Sequence, residues 1–154
     1  MKITNIVISE IGLTVAVWFK VSSFPTYFPI FAFGNGKPSQ GNILMALIQE
    51  YVFLSVNNLV VNPMITLINT TANVWYHVAW EMAPTGAWTL YVNGQVGNYE
   101  TGKIYPPQIA RSVNYLGCDG FGVGHFNGSI RDFRVYNRSL SAAEVKLLSA
   151  TTPV

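Results

Sequence analysis

Seven carboxylates, two histidines and one cysteine are the residues of this 154-residue chain whose side chains most often carry acid–base or metal chemistry. The acids are Glu10, Glu50, Glu81, Glu100, Asp119, Asp132 and Glu144, and no two lie within five residues of each other. Hydrolysis of a glycosidic bond by retention needs two carboxyl groups about 5–5.5 Å apart. No single strand or turn here carries such a pair, although a pair drawn from separate strands stays open on spacing alone. His77 falls in the middle of a strand-like run and reads as a structural histidine. His125 ends a glycine-rich loop and reads as a surface residue. Neither has a Ser–Asp arrangement beside it that would make a nucleophilic triad. Cys118 cannot form an intrachain disulfide, makes no metal motif with Gly117 and Asp119, and reads as a buried, inert thiol. The reading is therefore a protein without a catalytic site, with glycoside hydrolysis as a remote alternative.

Binding is better served. Sugars are held by flat aromatic faces against their C–H groups, with amides and carboxylates satisfying their hydroxyls. Two polar, glycine-rich loops carry such groups. The first, Gly34 to Gly41, contains Asn35 and Lys37 and follows Tyr27 and Phe28; the second contains Asp119, Phe121, His125 and Asn127. These six loop residues are the candidate ligand site. Asp119 could also supply one oxygen to a calcium ion, with backbone carbonyls and Asn127 assisting. Calcium takes six to eight oxygens, however, and no D-x-D or D-N cluster occurs. The competing reading of Asp119 is a turn former. Trp18, Trp75, Trp80 and Trp88 all fall in strand-like runs and read as core.

The elements that must carry these loops are strands. Ile3–Ile8 is β-branched and reads as a first strand. Leu13–Val21 alternates Val15, Val17 and Phe19 against Thr14, Ala16, Trp18 and Lys20, with both faces largely apolar, which suits a central strand. Pro29–Phe33, Asn42–Gln49, Tyr51–Val56, Leu59–Val61 and Met64–Ile68 follow, with Pro63 placing the last at an edge or bend. Val74–Met82 is a long strand, with Val78 and Trp80 opposite His77, Ala79 and Glu81. Ala87–Val92 returns and Asn93-Gly94 is the best hairpin turn in the chain. The stretch from Asn98 to Ser112 reads mostly as loop, and Val113–Gly117 as strand. About a dozen short, evenly spaced strands indicate a β-sandwich or jelly roll.

The chain closes on HFNGSIRDFRVYNRSLSAAEVKLL, from His125 to Leu148. Gly128 opens a strand, Ser129 to Tyr136, with Phe133 and Val135 on one face and Arg134 and Tyr136 on the other. Ser141 and Glu144 then form an S-x-x-E capping box ahead of Ala142, Val145 and Leu148, which predicts a short terminal helix. GSIRDFRVYNRSLSAAEV resembles the closing motif of the laminin-G-like domains of the concanavalin A-like lectin/glucanase superfamily. Val15-Ala16-Val17-Trp18-Phe19-Lys20 resembles the early strand of that family. Trp75-Tyr76-His77-Val78-Ala79 with Leu90-Tyr91-Val92-Asn93-Gly94 resembles its central hairpin. The resemblance implies an all-β, two-sheet antiparallel β-sandwich of the jelly-roll type with a short C-terminal helix, as a single domain over residues 1–154. It also implies recognition rather than catalysis, since the E-x-D-x-E signature of the superfamily's glucanases is absent. At Arg131 the family commonly has an acid, which argues against an acidic site carried over with Asp132.

Composition sets the outer limits. Charged residues make up 10% of the chain and hydrophobic residues 50%, with a net charge of +2. So weak a charge excludes nucleic acid as a partner drawn in by bulk electrostatics. No uncharged apolar stretch reaches the ~18 residues that span a bilayer. Lys2 is followed by Glu10 inside the apolar run, so the N-terminus does not read as a signal peptide. The sequons at Asn69, Asn127 and Asn137 read as chance matches in an Asn-rich chain. Scarce charge leaves apolar surface that a partner would cover. The sequence thus predicts a module that recognises glycan or a protein surface, as a homo-oligomer or within a larger surface assembly. The alternative is a structural or adhesive subunit without glycan binding, such as a virion surface or capsid decoration protein. Localisation is open, with the virion or cell surface fitting an assembly component.

Overall fold

A computed structural model describes residues 1–4, 6–23, 26–37, 40–56, 62–119 and 124–151. It contains eleven strands and one helix: β1 (Lys2–Ile3), β2 (Leu13–Val21), β3 (Phe28–Gly34), β4 (Ile43–Ile48), β5 (Tyr51–Val56), β6 (Met64–Leu67), β7 (Tyr76–Met82), β8 (Trp88–Val92), β9 (Gln95–Glu100), β10 (Val113–Leu116), β11 (Gly128–Tyr136) and α1 (Ala142–Ala150). The strands form two antiparallel sheets. Sheet 1 has the order β1-β10-β3-β4-β5-β6, and sheet 2 the order β11-β2-β7-β8-β9.

Sheet 1 belongs to one compact unit, made of residues 1–8, 23–69 and 106–127. Its β4 reads ILMALI, apolar on both faces, and so gave no alternation from which to place it. The register resolves it: Ile43, Met45 and Leu47 stand beside Val56, Leu54 and Val52 of β5, and all six are fully buried. Phe31 and Phe33 of β3 pair with Met45 and Ile43, and their rings lie 4.6 Å apart. The opposite face carries a smaller cluster of Leu44, Ala46 and Phe53, against which Tyr27, Ala32 and Ile48 pack. Pro63 precedes β6, which is an edge strand as the proline requires.

A buried arginine ties the long 106–111 segment to this sheet. Arg111 is fully buried, and its guanidinium donates to the carbonyls of Gly41 (2.8 Å), Ile109 (3.2 Å) and Pro107 (3.0 Å). Its backbone exchanges two hydrogen bonds of 3.0 Å with Ile6. Asn114, also fully buried, donates to the carbonyls of Thr4 and Arg111 and accepts from the Gly34 amide. Gly41 has φ +68, and a Cβ there would stand 2.6 Å from Ile109 Cδ1 and 2.8 Å from Pro107 Cγ. Only glycine permits that approach.

Sheet 2 belongs to the second unit, residues 9–22, 70–105 and 128–154. β2 lies between β11 and β7, as a strand apolar on both faces should. Val15, Val17 and Phe19 face Trp80, Val78 and Tyr76, and Trp80 meets Trp88 edge-on at 4.8 Å. On the other face Ala16, Ala79 and Tyr91 receive Leu140 and Val145, with Tyr136 and Leu148 alongside. That packing is why β2 is largely apolar on both faces: α1 covers Ala16 on one of them. Ser141 caps the helix through the Glu144 amide, and Glu144 returns the bond to the Ser141 amide at 2.8 Å. Arg138 holds the same carboxylate at 2.6 Å. These contacts pull the Glu144 carboxyl down to about 2, Arg138 contributing most. Asn93 and Gly94 have φ of 50° and 77°, the pair of left-handed residues a tight hairpin needs.

Four local expectations are corrected. The first strand is only Lys2–Ile3, followed by an isolated bridge from Ile6 to Arg111, because Arg111 takes up the backbone there. β9 runs on to Glu100 where a loop was expected, its residues pairing with β8 as far as Trp88↔Glu100. Trp75 lies just outside β7 and is half-buried, so it is not a core tryptophan. Cys118 is half-buried rather than enclosed. The expected strand Leu59–Val61 and the Asn57-Asn58 turn lie outside the described residues.

Candidate functional site

The two loops that carry the candidate residues leave sheet 1 at opposite ends. β3 begins at Phe28, beside the 119–127 segment, and ends at Gly34, which opens the 34–41 loop. Seven residues of strand separate these ends by roughly 20 Å. Asn35 and Lys37 are therefore at one end, and Asp119, His125 and Asn127 at the other. Phe121 lies outside the described residues.

Asn35 is engaged in its own turn. Its Oδ1 accepts from the Lys37 amide at 3.0 Å, and Asn42 Nδ2 donates to the Lys37 carbonyl at 3.2 Å. This is an Asx turn, a device for folding the loop rather than for reaching a ligand. The Lys37 side chain is in a solvent-exposed residue.

The other end is built differently. Gly117 donates to the Ile30 carbonyl at 2.8 Å, and Phe126 donates to Gly117 at 2.8 Å, while Cys118 and His125 form an isolated bridge. Cys118 and His125 are thus held side by side. Gly124 packs so tightly that a Cβ would fall 2.8 Å from Tyr27 Cδ1 and 2.9 Å from Pro29 Cδ. Asp119 is buried to 8% exposure. The Tyr27 hydroxyl is pushed up to about 12, mainly by burial and then by the negative charge of Asp119. The phenol therefore stays protonated and can donate. His125 and Asn127 are exposed at the rim, Asn127 Nδ2 lying 3.5 Å from Ser23 Oγ.

Tyr27 also marks which face of sheet 1 the loop borders, since it packs on the Leu44–Ala46–Phe53 cluster. Beyond Phe53 the same face continues through Tyr51, Ile65 and Leu67, by the pairs Phe53↔Ile65 and Tyr51↔Leu67. Their exposures are 39%, 55% and 47%. The result is a half-open apolar and aromatic face with a buried carboxylate, a phenol, an imidazole and an amide along one end. Sequence reasoning missed Tyr27 as part of it, having counted it as flanking the 34–41 loop. The signal was the glycine at 124, which only a close neighbour makes necessary.

Calcium is poorly provided for. Among the described residues no three His, Cys, Asp or Glu side chains converge. Asp119 is the carboxylate of its loop, and calcium needs six to eight oxygens. Asp132 is turned to Arg134 at 2.6 Å and serves a local ion pair.

A laminin-G family model, described as the concanavalin A-like lectin/glucanases superfamily, matches residues 1–146. No curated protein matches the sequence. Among solved structures, domain 4 of the extracellular arabinanase AbnA from Geobacillus stearothermophilus, in complex with arabinotriose, is similar at TM-score 0.76 and 20% identity, over 96% of this chain and 71% of that one. The CBM40 of the Ruminococcus gnavus IT-sialidase, bound to alpha2,3 sialyllactose, is similar at 0.73 and 15% identity, over 97% and 98%. The receptor binding domain of botulinum neurotoxin mosaic serotype C/D is similar at 0.70 and 18% identity. In that case 90% of this chain spans 36% of the other. At these identities the likeness is one of fold. With its two antiparallel sheets, single C-terminal helix and match over residues 1–146, the chain belongs to the laminin-G family of the concanavalin A-like lectin/glucanases superfamily, a jelly-roll β-sandwich class.

Proposed function

We propose that this chain is a non-catalytic module that binds a glycan across the Tyr27–Phe53–Tyr51 face of sheet 1. The observation that carries the reading is Tyr27 itself. It lies on the open apolar face while standing next to the buried Asp119 and the closely packed Gly124. A sugar ring laid on that face would find aromatic surface beneath it. At its edge it would find a donor in the Tyr27 hydroxyl and an acceptor in Asp119, with His125 and Asn127 at the rim. The solved relatives that carry arabinotriose and sialyllactose support a saccharide as the ligand class. The carboxylates speak against hydrolysis. Glu100, Asp132 and Glu144 are in ion pairs with Lys103, Arg134 and Arg138, and Glu81 accepts from Thr89 at 3.1 Å.

A glycan array followed by calorimetry tests the proposal. Tyr27→Ala should weaken binding at least ten-fold, while Lys37→Ala, about a strand's length away, should leave it unchanged. Loss of binding with Lys37→Ala and none with Tyr27→Ala would move the site to the other end of sheet 1. A second reading, a subunit of a larger surface assembly, is favoured by the exposed row of Tyr51, Ile65 and Leu67 at the β6 edge. Light scattering on the purified chain separates the two, since a partner that covers this row leaves no sugar-accessible face.

A further inference from the structure

The chain holds three Asn-Gly pairs, Asn35-Gly36, Asn93-Gly94 and Asn127-Gly128. In such a pair the glycine amide nitrogen can attack the carbonyl carbon of the asparagine side chain, because the glycine has no Cβ to block the approach. The fold treats the three pairs differently. Asn93 lies in the β8–β9 hairpin. Its Oδ1 accepts from the His77 amide at 2.9 Å, and its own amide donates to the His77 carbonyl at 2.8 Å. Gly94 is buried under α1, where an added Cβ would stand 3.3 Å from Lys146 Cα. Asn35 is half-buried, and its Oδ1 is held by the Lys37 amide at 3.0 Å. Both side chains are thus fixed by the turns they build.

Asn127 has neither restraint. It is exposed, and among the described residues its side chain makes one hydrogen bond, from Nδ2 to Ser23 Oγ at 3.5 Å. At that length the bond is weak. Gly128 stands opposite Val21 at the start of β11. The Val21 carbonyl is taken by the Asn73 amide at 2.7 Å, on the β7 side of β2. In an antiparallel ladder the N–H and C=O of one residue point the same way, and facing pairs alternate between bonded and unbonded. Gly128 and Val21 are therefore an unbonded pair. β11 is the edge of sheet 2, so the Gly128 N–H points outward from that edge. The attacking nitrogen faces solvent, next to the one Asn-Gly side chain that no turn holds.

We propose that Asn127 is a site of spontaneous deamidation, and that the fold confines the reaction to this one of the three Asn-Gly pairs. The Gly128 nitrogen gives its proton to hydroxide and bonds to Asn127 Cγ. The Cγ–Nδ2 bond breaks, ammonia leaves, and a succinimide ring closes. Water then adds to either ring carbonyl and opens the ring to aspartate or isoaspartate, with nothing oxidised or reduced. Each conversion replaces a neutral amide by a carboxylate two residues from His125, and lowers the net charge of +2 by one. Isoaspartate also adds a methylene to the backbone at the entry to β11. Because Asn127 stands on the rim of the proposed saccharide face, conversion would alter binding there, a consequence that alone rests on the sheet 1 reading.

The test incubates the full chain in mildly alkaline buffer and follows it by peptide mass mapping and isoelectric focusing. Asn127 should convert at least ten-fold faster than Asn93 or Asn35, with ammonia released in step with the acidic form. The same incubation in concentrated urea should bring the three rates together, because the turns and the helix that shield the other two pairs are then gone. Asn127→Gln should abolish the fast acidic shift, and a thermal melt shows that this variant is folded. The mass readout contains no saccharide, so its result stands apart from the sheet 1 reading. Conversion of Asn93 or Asn35 as fast as Asn127 in the folded chain overturns the proposal. So does an acidic shift that persists in Asn127→Gln, or an Asn127 still intact in the folded chain once the urea sample has converted.

Discussion

Arg131 and Arg134 lie three residues apart in one strand yet share a face of it. Arg131 stands opposite Trp18 and Arg134 opposite Ala16, so Asp132 and Phe133 together oppose Val17 alone. Asp132 is the residue that makes room, with φ 48. A bulge of this kind turns the period-2 pattern by one position. Without it, one arginine would point to the apolar face of Val15, Val17 and Phe19. Asp132 also holds Arg134 at 2.6 Å, which with the Tyr136 hydroxyl keeps that guanidinium firmly protonated.

The bulge makes Asp132→Ala informative. A left-handed conformation costs a residue with a Cβ about 1–2 kcal/mol, and aspartate tolerates it better than alanine. The exposed ion pair adds ~0–1 kcal/mol. Asp132→Ala should lower stability by about 1–2 kcal/mol in urea unfolding, and Asp132→Gly by less. An Ala variant as stable as the wild type would mean that the bulge carries no strain.

His77 should make stability depend on pH. Burial lowers its pKa from 6.5 to about 4, and Arg134 pushes the same way while Asp132 opposes. Between those values the unfolded chain binds a proton that the folded chain refuses. Stability is thus full above about pH 6.5, declines as pH falls and levels off near pH 4. The loss is up to about 3 kcal/mol from this group. His77→Gln should flatten that part of the curve, as measured by urea midpoints from pH 7.5 to 4.

Arg111 is expected to be among the costliest polar positions to change. Replacing it with Met leaves the carbonyls of Gly41, Pro107 and Ile109 without their donor. A buried group so stranded costs about 1–3 kcal/mol. Arg111→Met should therefore destabilise by about 3 kcal/mol or more, and Gly41→Ala by a similar route through overlap with Ile109 and Pro107. Chemical denaturation of both variants checks this.

The helix separates capping from packing. Ser141→Ala removes a side-chain cap worth about 1 kcal/mol. Val145→Ala empties part of a fully buried site against Ala16, Ala79 and Tyr91 and should cost about 2 kcal/mol. If Ser141→Ala proves the more damaging of the two, the helix is held by its first turn rather than by the sheet.

Much of this was written locally in the chain. The 3.6-residue spacing after an S-x-x-E box specified α1, and the Asn93-Gly94 pair its hairpin, because caps and tight turns are satisfied by residues within a few positions of one another. Alternation specified β2, β7, β8 and β11 for the same reason. What alternation could not supply was the pairing of distant strands. Only the register of β3 with β10 shows that Asn35 and Lys37 stand a strand's length from Asp119, although both loops look equally suited to a ligand. Only the packing of Gly124 on Tyr27 assigns that tyrosine to the Asp119 end. Trp75 reads as core until Lys20 and Arg131, 55 and 56 residues away in sequence, are brought to its ring. Local order followed from steric and hydrogen-bonding rules that act between near neighbours; the sites are made by contacts between residues far apart in the chain, which only the folded sheets bring together.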